Sequence, residues 1–309
     1  MKKIFCIGET VLDIIFQNNQ PVAAKPGGSM LNSAVSLGRT GLNPVFISDF
    51  GQDEAGEFIE DFLRNNDVNT TNVERFTDGQ TAIALAFLDA DKNASYSFYR
   101  NYPEHRGLNN LPSAAEGDIV IFGSFYAINY EVRQPLWDFL VRAKSNGAFL
   151  VYDPNFRKPH LKKLPQFQPW ILENISIAQI TRGSAGDFMH IFNLNDASSV
   201  YKEILNHGGE SLVYTKSNAG VEVITPDLHL KVDVPNISPV STIGAGDAFN
   251  AGLIYSFSRF TEPNPLPLDQ AGWEKVIQLA VDFSTNVCLS LDNYISVEFG
   301  NEIIKKQQL

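Results

Sequence analysis

Cysteine is scarce in this chain. Cys6 and Cys288 are the only two in 309 residues, too few for a disulfide framework, and a reducing cytoplasm fits that usage. Zinc-ligand spacing is missing as well. The five histidines (His105, His160, His190, His207 and His229) are scattered and read as surface or packing residues. No run approaches 18 apolar residues, so no membrane-spanning helix is expected. Met1-Lys2-Lys3 opens like a secretion signal, but Glu9 and Asp13 interrupt the apolar run behind it and no small-residue cleavage site follows. Basic charge is also short, with 24 Lys and Arg against 35 Asp and Glu and a formal charge of −11. No basic cluster has the footprint of a nucleic-acid site. The P-loop pattern G-x-x-x-x-G-K-[ST] is absent, and no G-x-G-x-x-G follows the first apolar segment. The first absence excludes classical P-loop chemistry, and the second argues against a nicotinamide-dependent oxidoreductase.

What is present alternates. The 44% hydrophobic fraction supports a sizeable core. Strand-like runs fall at 3–8, 44–48, 118–122, 148–153, 176–180 and 211–215, several of them continuously apolar, as parallel strands buried on both faces are. Helical patterns fall near 30–39, 54–65, 131–144, 184–193, 198–207, 246–260 and 271–290. This rhythm predicts a doubly wound, mostly parallel α/β sheet with helices on both faces, in one domain over 1–309.

One region departs from the rhythm. Residues 81–88 and 94–100 read as a hairpin joined by the five residues 89–93. Val11 to Phe16 is a candidate partner. The lid strands fall within about 11–20 and 78–103. They form either a decorative hairpin or a small sheet over the carboxyl ends of the main one, where it can exclude water. Its apolar faces invite a second copy, so a homodimer through this sheet is expected.

The most informative stretch is Val240-Ser-Thr-Ile-Gly-Ala-Gly-Asp247. Gly244, Ala245 and Gly246 leave backbone N–H groups uncovered at the start of a helical pattern that runs to Thr261-Glu-Pro263. Such a start attracts anions. Asp247 reads two ways there: as a complement to the helix dipole, or as a base facing an incoming hydroxyl while the amides hold charge on a transferred phosphoryl group. Gly27-Gly28 with Asn32 admits close backbone approach, either in a plain turn or beside a polyol. Asp13 sits on the carboxyl side of the first strand, where open α/β sheets bind ligands. Asp153-Pro-Asn-Phe-Arg157 follows another strand, and Arg157 can face a phosphate. Thr215-Lys-Ser-Asn-Ala-Gly220 borders a nucleotide or turns into a strand at 221–224.

Taken in order, these pieces resemble the ribokinase-like (phosphofructokinase-B type) carbohydrate kinases over nearly the whole chain, closest in look to fructokinases. The resemblance rests on Gly8-Glu9 with Asp13, Gly27-Gly28 with Asn32, residues 153–157, and above all Thr242-Ile-Gly-Ala-Gly-Asp247. It implies ATP- and Mg²⁺-dependent phosphorylation of a sugar or nucleoside hydroxyl. Asp247 would be the base, with Gly244, Ala245 and Gly246 as the anion hole. Asp13, Gly28, Asn32 and Arg100 would contact the sugar. Thr215, Ser217, Gly220, Ser184 and Asn286 would border ATP, and Asp187 would hold metal-bound water. Fructose is the first acceptor implied, with 2-keto-3-deoxygluconate or a nucleoside as alternatives, and neither nucleic acid nor membrane as a partner. Three positions depart from the pattern: Ser241 stands for an aspartate, Asp187 for a glutamate and Ser217 for a glycine. They leave a non-catalytic binder of sugar and nucleotide as a reading of another class.

Overall fold

A computed structural model describes residues 2–88, 94–104 and 106–306. The expected loop at 89–93 and His105 lie outside these residues. In chain order the elements are β1 (Ile4–Ile7), β2 (Val11–Gln17), β3 (Gln20–Gly27), α1 (Ser29–Gly38), β4 (Val45–Gly51), α2 (Glu54–Asn65) and β5 (Val73–Phe76). Then come β6 (Gln80–Leu88), β7 (Ala94–Asn101), β8 (Ile119–Gly123), α3 (Tyr130–Ser145), β9 (Phe149–Asp153), α4 (Leu164–Ile177), β10 (Ile180–Ser184), α5 (Ala185–Phe192) and α6 (Ala197–Asn206). The chain continues through β11 (Ser211–Thr215), β12 (Val221–Thr225), β13 (Leu228–Val232), α7 (Ala245–Ser258), α8 (Gln270–Cys288) and α9 (Val297–Lys306).

The large sheet has the order β13-β12-β11-β10-β9-β8-β1-β4-β5. It is parallel from β10 and β11 across to β5 and antiparallel only at the β11-β12-β13 edge. Side-chain alternation explains why both faces are covered. Ile4 and Cys6 pack with Leu31, Leu63, Leu253, Phe257 and Trp273, while Phe5 and Ile7 point to the other side, among Leu136, Phe139, Ile171 and Phe188. Each strand therefore feeds two cores, and helices lie on both faces as the alternation predicts.

The strand expected at 176–180 lies at Ile180–Ser184. Ile171 and Ile175, four residues apart and fully buried, belong to helix α4, whose prolines at 165 and 169 hide its helical pattern from the sequence. Strands β3 and β5 and helix α9 were likewise not anticipated. Strand β3 carries Pro21 and Pro26 at the outer position of the smaller sheet, where proline is tolerated.

That smaller sheet has the order β3-β2-β6-β7. Strand β2 runs parallel to β6, with Asp13 opposite Ala84, and antiparallel to β3, with Asp13 opposite Lys25. It thus joins the hairpin to the start of α1. Among the described residues no helix is long and apolar enough to cross a membrane, and both cysteines are free thiols.

Candidate active site

The carboxyl ends of the parallel strands lie side by side. Asp153 ends β9, Ser184 ends β10 opposite Thr215 at the end of β11, and Glu9 follows β1. The open edge of such a sheet is where ligands bind in α/β folds. Two helix N-termini meet over this edge.

Gly244 caps α7 in the left-handed region (φ 81°), and its Cα lies against the backbone of Asn293, where a Cβ would come within 2.3 Å of the carbonyl oxygen. The turn before it is held by Ser241, whose hydroxyl accepts from Ile243 N–H (3.2 Å), so serine here does the capping that an aspartate can do. Ala245 N–H closes back on Thr242 O (3.3 Å). Of the three amides expected to hold an anion, those of Gly244 and Gly246 stay unpaired among the described residues.

Asp247, in the first turn of α7, is buried and faces the N-terminus of α1. Ser29 Oγ donates to its Oδ1 (2.7 Å) and Asn32 Nδ2 to its Oδ2 (2.8 Å), while Ser33 Oγ donates to its carbonyl (2.9 Å). Burial raises the Asp247 carboxyl above its usual range. The bonds from Asn32 and Ser29, and then Arg157, oppose that rise. The result is a carboxylate of increased basicity in one orientation, as a general base requires. Asn32 therefore holds the base through its amide nitrogen. Its Oδ1 is buried with no hydrogen-bond partner, an acceptor suited to a substrate hydroxyl.

The residues expected to contact the sugar lie on or beside α1, β2 and β7. Gly28 (φ 136°) sits so close to Glu9 that a Cβ would lie 2.2 Å from the Glu9 carbonyl. Asp13 accepts no hydrogen bond from the described residues. Burial pushes its carboxyl up to about 6, with Arg157 pulling the other way. Arg100 lies over Phe98 (4.6 Å) and within 6.0 Å of the Phe125 ring, and Phe125 stacks on His160 (4.8 Å). Gly28 thus packs on Glu9, which pairs with Arg100, Asn32 holds Asp247, and Arg157 acts on both Asp13 and Asp247.

A second cluster lies beneath the glycine turn. Asp153 Oδ2 accepts from Arg182 Nη1 (2.9 Å) and Asn250 Nδ2 (2.6 Å), and its Oδ1 accepts from Asn155 N–H (3.0 Å). Arg182 Nη2 donates to Thr215 Oγ1 (3.2 Å). The guanidinium lies directly under Gly246, where a Cβ would meet it at 3.1 Å. Arg182, Asn250 and Ser29 were not among the expected site residues. A lone charge inside a strand whose other residues are uncharged, and an asparagine three positions after Asp247 on one helix face, are the signals that point to Arg182 and Asn250.

Ser184 and Asp187 form a capping box: Asp187 Oδ2 accepts from Ser184 N–H (2.7 Å) and Oγ (2.5 Å), and Ser184 Oγ accepts from Asp187 N–H (3.2 Å). Burial and then Asp153 raise the Asp187 carboxyl. Among the described residues no cluster of three His, Cys, Asp or Glu could hold a bare metal ion. Ser217 adopts φ 52° and Gly220 φ 97°, and Lys216 N–H donates to Gly220 O (2.9 Å), so residues 215–220 turn β11 back into β12. Asn286 Oδ1 accepts from Ser296 N–H (2.8 Å), and at the end of the same helix Cys288 O accepts from Val240 N–H (2.8 Å). Helix α8 thus braces the glycine turn, while the Asn286 side chain is committed to the 296 backbone.

Known proteins are similar to this chain over most of its length. The chain is 24% identical over 265 residues to the aminoimidazole riboside kinase of Salmonella typhimurium, covering 84% of this chain and 82% of that protein. It is 27% identical over 263 residues to probable fructokinase-4 of Arabidopsis thaliana, covering 82% and 79%. The fold is shared with the crystal structure of Vibrio cholerae fructokinase in its fructose-, ADP- and calcium-bound form, at a TM-score of 0.86 and 21% identity over 98% of this chain and 99% of that one. Residues 1–298 match the family model described as pfkB family carbohydrate kinase, and this chain belongs to that family, a phosphotransferase acting on a sugar hydroxyl.

Proposed function

We propose that this chain is a fructokinase, transferring the γ-phosphoryl group of ATP to a hydroxymethyl oxygen of fructose. The observation that carries the reading is Asp247: a buried carboxylate fixed by Ser29 and Asn32 beside two unpaired amides at a helix start. The fructokinases among its relatives support the choice of sugar.

In this reading the hydroxymethyl lies between Asp247 and the γ-phosphorus. Asp247 accepts its proton as the oxygen attacks, the bond from the β–γ bridging oxygen to the γ-phosphorus breaks, and ADP leaves. The unpaired amides of Gly244 and Gly246 and the α7 dipole stabilise the charge on the equatorial oxygens. Little covalent chemistry is asked of the protein beyond alignment. Thr215 and the 215–220 turn border the nucleotide. Asp187, whose Oδ1 takes no hydrogen bond from the described residues, fits a water of hydrated Mg²⁺. That ion would neutralise phosphate charge when bound. The small sheet closes over the sugar and excludes water.

The small sheet also supports a homodimer, since Val22 and Tyr99 on it are 55% and 60% exposed. A monomer by light scattering would remove this part of the proposal. The function itself is tested by coupled ATP consumption with Mg²⁺ across fructose, ribose, 2-keto-3-deoxygluconate, fructose 6-phosphate, tagatose 6-phosphate and adenosine. Fructose giving the highest kcat/KM, at about 10⁴ M⁻¹s⁻¹ or more, is the expected result. Another acceptor ahead of fructose corrects the sugar. Ligand-induced melting shifts without any turnover point to a binder that kept the fold.

A further inference from the structure

Arg100 is the cation that β7 brings to the acceptor end, and its charge is already answered. Its Nε lies 3.6 Å from Glu9 Oε1. That oxygen is fixed, because the Tyr102 hydroxyl donates to it at 2.8 Å. The Tyr102 ring lies 3.6 Å from the guanidinium of Arg106. Arg106 is buried and bound through two nitrogens to Asp49 of β4, which also accepts from the Tyr126 hydroxyl (3.0 Å). A continuous set of contacts therefore runs from the core through Arg106 and Tyr102 to the Glu9 carboxylate. Glu9 cannot swing into solvent without leaving both its partners.

Around Arg100 the charge is balanced rather than in surplus. Arg157, the other arginine there, acts on both Asp13 and Asp247. His160 is held toward its neutral form, first by burial and then by Arg100. Three carboxylates (Glu9, Asp13 and Asp247) face two guanidinium groups. A carboxylate or phosphate placed at Arg100 would find that cation already neutralised and would meet the Glu9 carboxylate instead.

We infer that Glu9 is a specificity-determining residue: by neutralising Arg100 it makes the acceptor end a site for an uncharged polyol and turns away sugar acids and sugar phosphates. Tyr102 is its positioning residue. The inference rests on the reading of the Asp247 cleft as the acceptor site.

The test compares fructose with 2-keto-3-deoxygluconate in the wild type, Glu9→Gln, Tyr102→Phe and Glu9→Gln with Arg100→Met. Each is measured twice, as kcat/KM in the coupled assay and as dissociation constants by calorimetry without ATP. Glu9→Gln removes the charge with little change of shape. It is expected to raise the preference for the sugar acid over fructose at least about tenfold in both measurements. Tyr102→Phe moves it the same way by less, and the double variant returns it toward the wild type, since the freed Arg100 is then gone. A merely structural role for Glu9 would weaken both ligands together and leave the ratio where it was. An unchanged ratio in Glu9→Gln, or a wild type that already prefers the sugar acid, overturns the inference. Absence of turnover with every acceptor fails the kinase reading alone, because the binding ratio is read without ATP.

Discussion

The two sides of the cleft are built on opposite plans. Around the glycine turn every charged group is spoken for: Asp247 by Ser29 and Asn32, Asp153 by Arg182, Asn250 and Asn155, and Asp187 by Ser184. On the acceptor side Arg100 is paired with Glu9, but Asp13 accepts no hydrogen bond and the exposed Arg157 makes no ion pair among the described residues. Committed groups are preorganised and need not move as charge develops in a transition state. A half-buried carboxylate without a hydrogen-bond partner among the described residues, as Asp13 is, carries a standing desolvation cost that a ligand can relieve. On the proposed reading, the end that reacts is held before substrate arrives, and the end that recognises leaves Asp13 for the substrate to partner.

The largest test of this contrast is Asp247→Asn. It keeps the shape and both neighbours but loses the base. It should lower kcat by roughly 10²–10⁴-fold while ATP binding remains measurable. A near-normal kcat would remove Asp247 from the role and reduce it to a helix-dipole partner. In the wild type the raised pKa places the acid limb of the kcat–pH profile above the usual aspartate range, with activity falling as pH drops through it.

Arg182→Met addresses the committed side through stability. Removing this buried guanidinium leaves Asp153 without its cation beside Asp187. A loss of about 3–5 kcal/mol in denaturant unfolding is expected, as for breaking a buried pair. A loss below about 1 kcal/mol would show that the network is solvated and that the contrast with the acceptor side is overdrawn.

On the uncommitted side, Asp13→Asn should act in the other direction. The folded pKa of Asp13 is raised to about 6, so the native state binds the proton more tightly than the unfolded chain. Stability is then fully present below the unfolded value and is lost as pH rises toward the folded one. In the ligand-free protein the substitution should therefore stabilise by up to about 3 kcal/mol near pH 8, and by little near pH 4. A pH-independent effect would show that the carboxylate has a partner after all.

Much of this contrast was legible from residues alone, for physical reasons. The Gly244–Asp247 stretch stands out because small residues before a helix leave its amides uncovered, though the resemblance was needed to choose between the two readings of Asp247. The parallel strands were visible because both faces are buried. Asp13 and Arg100 needed the resemblance, since a single acid or base at a strand end carries little information. Arg182 stayed hidden because the strand it belongs to was placed four residues early, and α4 because two prolines obscure its period. The bonds from Ser29 and Asn32 to Asp247 join residues more than 200 positions apart, and nothing local encodes that pairing.

The smallest effect concerns the loop that turns β11 into β12 beside the committed cluster. Ser217, exposed, holds a left-handed backbone (φ 52°) where the family's pattern has glycine. For a residue with a Cβ that conformation costs about 1–2 kcal/mol. Glycine removes the strain but gains unfolded-chain entropy worth about 0.4–1 kcal/mol. Ser217→Gly should therefore stabilise by roughly 0.5 kcal/mol in denaturant unfolding, with the KM for ATP unchanged. Destabilisation, or a weaker KM, would mean that the serine hydroxyl has taken up a role at the nucleotide. The committed side of the cleft would then extend into this turn.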